Sequence, residues 1–447
     1  MKTSEFLATT PVVRSVAFFM SLVVTAAVTL GHANADDWPQ WRGGNFKSVS
    51  AEGGVLGDFD KEKNMLWRVE MPGPAGSSPV VWGDNVFVTS VEGRNLFLLC
   101  VGTDGTQRWK KRLDGEDIKS RDGANGASPS PSTDGEHVWC MMGNGILTCF
   151  TVEGELAWKK DLQEEYGKFD IQFGMSTTPI LDNGNLYLAL MHGAMRGRDG
   201  KKPSVGHVIA LDAKTGNEIW KQVRKTDGYA ENKHSYASPT IYRDAGEEFL
   251  VTHGADYVIA HSLDDGSELW RCGGFNQQGD SYNPFLRLVS SPSCGPGVVI
   301  VPTAKGGPIF SLSVQDGKLK GDITKNEKAY RWKNSRGTPD VATPVVYEGF
   351  IYLAGEKGDL SCLDLETGEV VYRKRTFVDK QRSTPVAVDG KIFVTGRNGD
   401  VFVIRAGKEL EVISKMELGE ETTASPAISN GKLYVRTFNA LYAFGEK

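Results

Sequence analysis

A Ser-Pro or Thr-Pro pair recurs eight times along this chain, and no other feature restricts its fold as much. The prolines are Pro79, Pro131, Pro179, Pro239, Pro292, Pro344, Pro385 and Pro426. They recur about every 50 residues, the period of a blade-like repeat. Seven positions after seven of these prolines an apolar residue opens a second apolar run: Val86, Val138, Leu186, Val299, Ile351, Ile392 and Leu433. The Pro239 repeat alone is longer and reaches Phe249. Between proline and second run lie turn pairs such as Gly83-Asp84, Asn183-Gly184 and Asn430-Gly431, the chemistry of tight hairpins. A second turn, clearest at Asn144-Gly145, Lys357-Gly358 and Asn398-Gly399, leads to a third run.

A fourth element follows an Asp/Gly turn and carries an aromatic. Trp109, Trp158, Trp220, Trp270 and Tyr372 mark it, and the repeats at Asp316-Gly317 and Ala406-Gly407 lack the tryptophan. Four strands per repeat make one propeller blade. The last repeat ends after its third run, Ala440 to Phe444, and Met65–Val69 precedes the first anchor with no blade of its own. The expected fold is therefore all-β: one eight-bladed propeller over 65–447, closed by an N-terminal strand that removes the open edge.

The A-x-D-x-x-T-G-x-x-x-W copy at Ala210–Trp220 resembles the tryptophan-docking repeat of pyrroloquinoline quinone (PQQ) dehydrogenases. The BamB family of outer-membrane assembly factors is built on the same repeat. The resemblance runs from Trp67 to Phe444 and implies the fold more strongly than the function, because one fold hosts many sites. The opening Trp38-Pro39-Gln40-Trp41-Arg42-Gly43 is similar to the start of exported PQQ-repeat proteins. Residues 36–64 are expected to form a strap packed on the propeller.

Lys2 and Arg14 precede an apolar run from Val16 to Leu30, and Ala33-Asn34-Ala35 supplies a cleavage signal. Residues 1–35 thus read as a signal peptide cut after Ala35. The expected product is periplasmic or secreted and monomeric, with no integral membrane segment after processing. A retained anchor is disfavoured by the short run and the lack of a basic stop-transfer flank. The formal charge of −5 argues against a nucleic-acid partner, which would require a basic face.

A PQQ site of the kind the resemblance implies needs an aromatic floor, cations for three carboxylates and a calcium ion held by oxygen ligands. In the dehydrogenases two adjacent cysteines commonly close on the ring. Here Cys100, Cys140, Cys149, Cys272, Cys294 and Cys362 are all separate, and C-x-x-C-H is missing. No H-E-x-x-H or G-x-S-x-G pattern occurs. The expected function is a non-catalytic binding or assembly scaffold with no cofactor. The alternative is a PQQ-dependent dehydrogenase, with calcium, oxidising an alcohol or sugar.

Propeller topology gathers the long connections on one face, and long loops carry function. A protein or small-molecule ligand is expected there. The candidate binding residues are Arg121, Asn125, His192, Arg196, Tyr229, Asn232, His234, Tyr236, His253, Asn283, Arg287, Arg336 and Arg382. Loop-internal hydrogen bonding is the competing role for each. His234 with His253 could pair on a metal, but no metal site is expected. Small residues ahead of each anchor, such as Ser77, Ala237 and Ala342, predict a narrow channel. A two-residue turn at Asn144-Gly145 would set Cys140 opposite Cys149 in the range of a disulfide, with plain apolar packing as the other reading.

Overall fold

The computed structural model describes residues 1, 37–118, 124–171, 173–191, 204–277, 279–314, 319–376 and 380–447. The leader read at 1–35 lies outside them apart from Met1, as do Arg121, His192 and Arg196.

Eight antiparallel sheets form the blades of the propeller. Every inner strand opens on the residue after an anchor proline: Val80, Ser132, Ile180, Thr240, Ser293, Val345, Val386 and Ala427. Proline fixes φ and brings no N–H, so each strand enters from a preset direction with no donor left unpaired at its start. Blade four departs from the common spacing because its inner strand, Thr240–Asp244, is longer and turns at Ala245-Gly246, both at positive φ.

The ring closes as the sequence predicts. Blade eight takes its first three strands from Ala427–Ser429, Lys432–Arg436 and Ala440–Phe444, and its outer strand from Met65–Glu70. Trp67 pairs with Ala443 across that seam.

The outer-strand aromatics join blade to blade. Trp220 packs on Gly266 of the next blade, and its Nε1 donates to the Leu263 carbonyl at 3.0 Å. Trp67, Trp109, Trp158 and Trp332 make the same bond to Thr103, Val152, Ala213 and Leu365. Each docking aromatic lies opposite a small residue of the third strand. Cys100 faces Trp109, Cys149 faces Trp158, Cys362 faces Tyr372 and Ala210 faces Trp220. Three cysteines therefore serve as small apolar residues that make room for a ring. In blade seven the position is Ser414, and Phe59 of the strap covers it; Ser414 Oγ donates to Gly57 O at 2.7 Å, and Phe59 packs edge-on against Phe393.

The residue after the docking position is basic in all eight blades: Arg68, Lys110, Lys159, Lys221, Arg271, Lys333, Arg373 and Lys415. Each reaches a carboxylate of its own or a neighbouring segment. Charge on outer strands blunts edge-to-edge pairing.

Two expectations need correction. Blade five does carry its tryptophan. Its outer strand is Tyr330–Asn334, and Trp332 packs on Gly368. An insertion ahead of it displaces the strand along the sequence, and part of that insertion, Gly321–Asp322, adds a parallel fifth strand to blade four. The Cys140–Cys149 disulfide does not form. Cys140 pairs with Thr148, and Trp139 pairs with Cys149. The turn has three residues, Gly143-Asn144-Gly145, closed by Met142 N to Ile146 O at 2.9 Å, with Gly145 at φ +86°. A three-residue loop shifts the register by one, and one step sends the two side chains to opposite faces. All six cysteines are free and buried.

Candidate ligand site

The hydroxyl residue of each anchor pair sits where its strand meets the propeller axis. Its backbone N–H donates to the corresponding hydroxyl of the next blade. Ser78 donates to Ser130 at 2.9 Å, Ser130 to Thr178 at 3.1 Å, Thr178 to Ser238 at 2.9 Å and Ser238 to Ser291 at 3.0 Å. Thr343 donates to Thr384 at 3.0 Å, Thr384 to Ser425 at 2.9 Å and Ser425 back to Ser78 at 3.0 Å. Between Ser291 and Thr343 the link is carried one residue earlier, by Ser290 Oγ donating to Ala342 O at 2.8 Å. The recurring Ser/Thr is thus a ring fastening as well as a strand start.

Above this crown an axial cavity of about 370 Å³ opens toward the long-loop face. Seven crown residues line it, all but Thr343. Neighbouring inner strands are joined through the crown bonds just described. The volume comes from the loops that build the wall higher.

The strap closes the other end. Trp38 bridges Val81 through two backbone bonds, and the Gln40 side chain exchanges bonds with the Leu181 backbone at 2.9 and 3.0 Å. Arg42, at φ +71°, donates to Pro292 O at 2.9 Å and Ser293 Oγ at 3.2 Å. Burial brings its pKa down to about 10. These bonds fix Trp41 at the base of the cavity, with its Nε1 3.5 Å from Ser425 Oγ.

The mouth carries charge and aromatic surface. Lys305 lies between Asp340, at 3.3 Å, and Glu356. Arg287 pairs with buried Glu231 at 3.1 Å, and its guanidinium stands 4.8 Å from the centre of the Phe173 ring. Arg382 and Tyr236 complete this wall.

Of the residues singled out in the sequence, Tyr236, Arg287 and Arg382 come together at the cavity. Asn125 holds its own loop, donating to Pro74 O at 2.9 Å and accepting from Ala127 N at 3.0 Å. Tyr229, Asn232 and Asn283 form a separate knot beside blade four. Tyr229 stacks on Tyr282 at 3.9 Å, and Asn232 donates to the Tyr282 hydroxyl and the Asn283 carbonyl at 2.9 Å. That hydroxyl donates to Asp256, whose carboxyl burial pushes up to about 6. His234 and His253 are buried, and no cluster of three metal-ligating side chains occurs among the described residues. Burial, then the nearby Arg224 charge, holds His253 down to about 3. Arg336 is exposed and away from the cavity wall.

Sequence reasoning missed Lys305, Glu356 and Trp41. Lys305 and Glu356 sit in second-to-third-strand turns, which share the long-loop face, so topology combined with charge would have found them. Nothing in the strap's composition places Trp41 on the axis.

The family of this fold is shown by sequence. The chain matches the family described as outer membrane protein assembly factor BamB over residues 52–205 and 204–410. It belongs to that family. The BamB of Yersinia pestis is 24% identical over 173 residues, which are 38% of this chain and 39% of that protein. The match thus spans under half of that relative. The crystal structure of BamB from Moraxella catarrhalis superposes with a TM-score of 0.57 at 13% identity, covering 86% of this chain and 97% of that one. The quinohemoprotein alcohol dehydrogenase of Comamonas testosteroni gives 0.66 at 13% identity, covering 92% and 81%. At such identities the structural likeness speaks for the propeller alone.

Proposed function

We propose that this BamB-family chain is an exported, non-catalytic binding propeller that holds its ligand in the axial cavity of the long-loop face. The observation that carries the reading is the cavity itself: charged and aromatic at the mouth, ringed by hydroxyls, and closed beneath by Trp41. Concave sites with a few convergent polar groups are where propellers and other folds take ligands. Among the described residues no histidine lines the wall beside a crown hydroxyl. The six thiols are buried elsewhere, and burial pushes Cys149 up to about 12 and Cys294 up to about 11. The leader read in the sequence, and a family described as outer membrane protein assembly factors, support export of the chain.

A PQQ-dependent dehydrogenase is the second reading, and the axial position of a pocket bearing both charge signs favours it. Its calcium fits poorly. The two carboxylates that line the cavity among the described residues, Asp340 and Glu356, already flank the Lys305 ammonium, which takes up the negative charge that they would offer a metal. No step is derived through PQQ.

The deciding experiment incubates the purified chain with PQQ and Ca²⁺, then adds alcohols or sugars and a reducible dye. No dye reduction is expected. Stoichiometric PQQ binding with turnover would replace the binding reading by the enzymatic one.

A further inference from the structure

We propose that the hydroxyl crown at the base of the cavity recognises a compact oxyanion, a carboxylate or phosphate group of the ligand. The inference rests on the axial cavity being the ligand site, as proposed above.

A hydroxyl has one proton and two lone pairs. In the seven crown residues that line the cavity, the oxygen accepts a backbone N–H from the neighbouring blade. Ser291, which closes the run on one side, and Ser78, which receives Ser425, follow the same rule. Among the described residues none of these hydroxyls donates its own proton to a protein acceptor. Each side chain is buried except toward the cavity it lines, so the surplus protons are offered to whatever occupies the cavity. An accepted N–H also polarises the O–H and strengthens it as a donor. The result is a ring of donors converging on one axis. Its natural complement is a group that only accepts.

A second, independent group points the same way. Tyr236 is 8% exposed and lines the cavity, and its hydroxyl approaches the Phe173 backbone without a well-aligned hydrogen bond. It is a further buried hydroxyl beside the cavity whose proton no protein acceptor takes.

The mouth adds little preference of its own, since the three cations Lys305, Arg287 and Arg382 stand against the three carboxylates Asp340, Glu356 and Glu231. Selection for an anion therefore falls to the crown. The cavity volume, about 370 Å³, lies at the small end of ligand pockets and suits a compact acid. Trp41 at the base gives that acid an apolar face to rest on.

The test is calorimetric titration of the mature chain with citrate, with inorganic phosphate and with glucose as an uncharged control. Citrate or phosphate is expected to bind and glucose not to, and the stronger of the two anions distinguishes a carboxylate from a phosphate ligand. Tyr236→Phe removes a donor without breaking a well-formed protein bond. It should leave the melting temperature in place and weaken the anion about tenfold, the usual loss for a hydrogen bond to a charged group. Ser130→Ala with Ser238→Ala should weaken it further, and Thr at both positions should restore it. Saturation should alter an emission component that is missing in Trp41→Phe. Equal anion affinity in wild type, the Phe variant and the double Ala variant would overturn the crown. Glucose binding with no anion binding would also overturn it while leaving the cavity as the ligand site. Dye reduction in the assay above is the separate outcome that removes the binding reading.

Discussion

The Trp220 indole lies against Gly266 so closely that a Cβ on the glycine would fall 2.5 Å from the ring. The glycine also sits at φ +71°, so a side chain there is strained twice. Trp220→Ala deletes a large buried ring and its bond to Leu263, and should cost about 3–5 kcal/mol. Gly266→Ala should cost at least about 1 kcal/mol and lower the urea midpoint in the same direction. A midpoint unchanged by the glycine substitution would contradict the interblade contact.

Ring closure depends on the Val69–Leu441 pairing. Val69→Pro leaves the side-chain volume nearly intact but removes a donor and forces φ within a paired strand. The expected penalty is about 3 kcal/mol or more, with blade eight left open-edged and prone to association. Size-exclusion chromatography with light scattering reads this directly. A monodisperse monomer of wild-type stability would show that the seam is not needed.

The six thiols should be unreactive to a bulky thiol reagent in the folded protein and all titrate in denaturant. Mass before and after reduction should not change once free thiols are alkylated. A two-dalton difference in the peptide pair containing Cys140 and Cys149 would refute the register described above.

Acid should destabilise the fold through its buried histidines. His253 and His261 are held at about 3 and about 4, below the ordinary 6.5. Between those values the unfolded chain binds protons that the folded one refuses, so stability falls as pH drops from 6.5 toward 4. Asp256, raised to about 6, opposes this, because the folded state keeps a proton that the unfolded chain releases above about 4. Two histidines outweigh one aspartate. The melting temperature should drop between pH 7 and pH 5, and His253→Phe should make that drop shallower. A variant whose pH profile parallels wild type would assign the acid limb to other groups.

The blades were legible because the anchor prolines and turn glycines are local signals with a fixed separation. Trp332 was hidden because the insertion ahead of it moved a docking residue out of step. The Cys140 register was misread because a two-residue and a three-residue turn share the Asn144-Gly145 signature, and only Gly143 joining the loop tells them apart. Topology pointed to the face on which the cavity opens, and Tyr236, Arg287 and Arg382 from that reading line it. It did not deliver their pairing, since which loop carboxylate meets which loop cation depends on the heights of neighbouring loops. The candidates in the Asn232–Tyr282 knot were polar and on that face, yet they spend their hydrogen bonds on one another.

The closing strand and the later part of the strap lie near the start of this sequence, while the residues that receive them, Ser414, Asn430, Gly431 and Ala443, lie near its end. Trp67 waits for Ala443, and Glu52 accepts from the backbone N–H groups of Asn430 and Gly431 at 3.1 and 2.7 Å. A chain delivered N-terminus first presents these segments long before anything exists to receive them. Seven blades can assemble in succession, but the last cannot be completed until the earliest residues return to it. Such late, long-range contacts slow folding and leave a sheet edge exposed in the interval. The same arrangement makes a truncated product recognisable: without its final repeat, the molecule has an unpaired strand at one end and a Glu52 carboxylate with no backbone N–H groups of Asn430 and Gly431 to receive it.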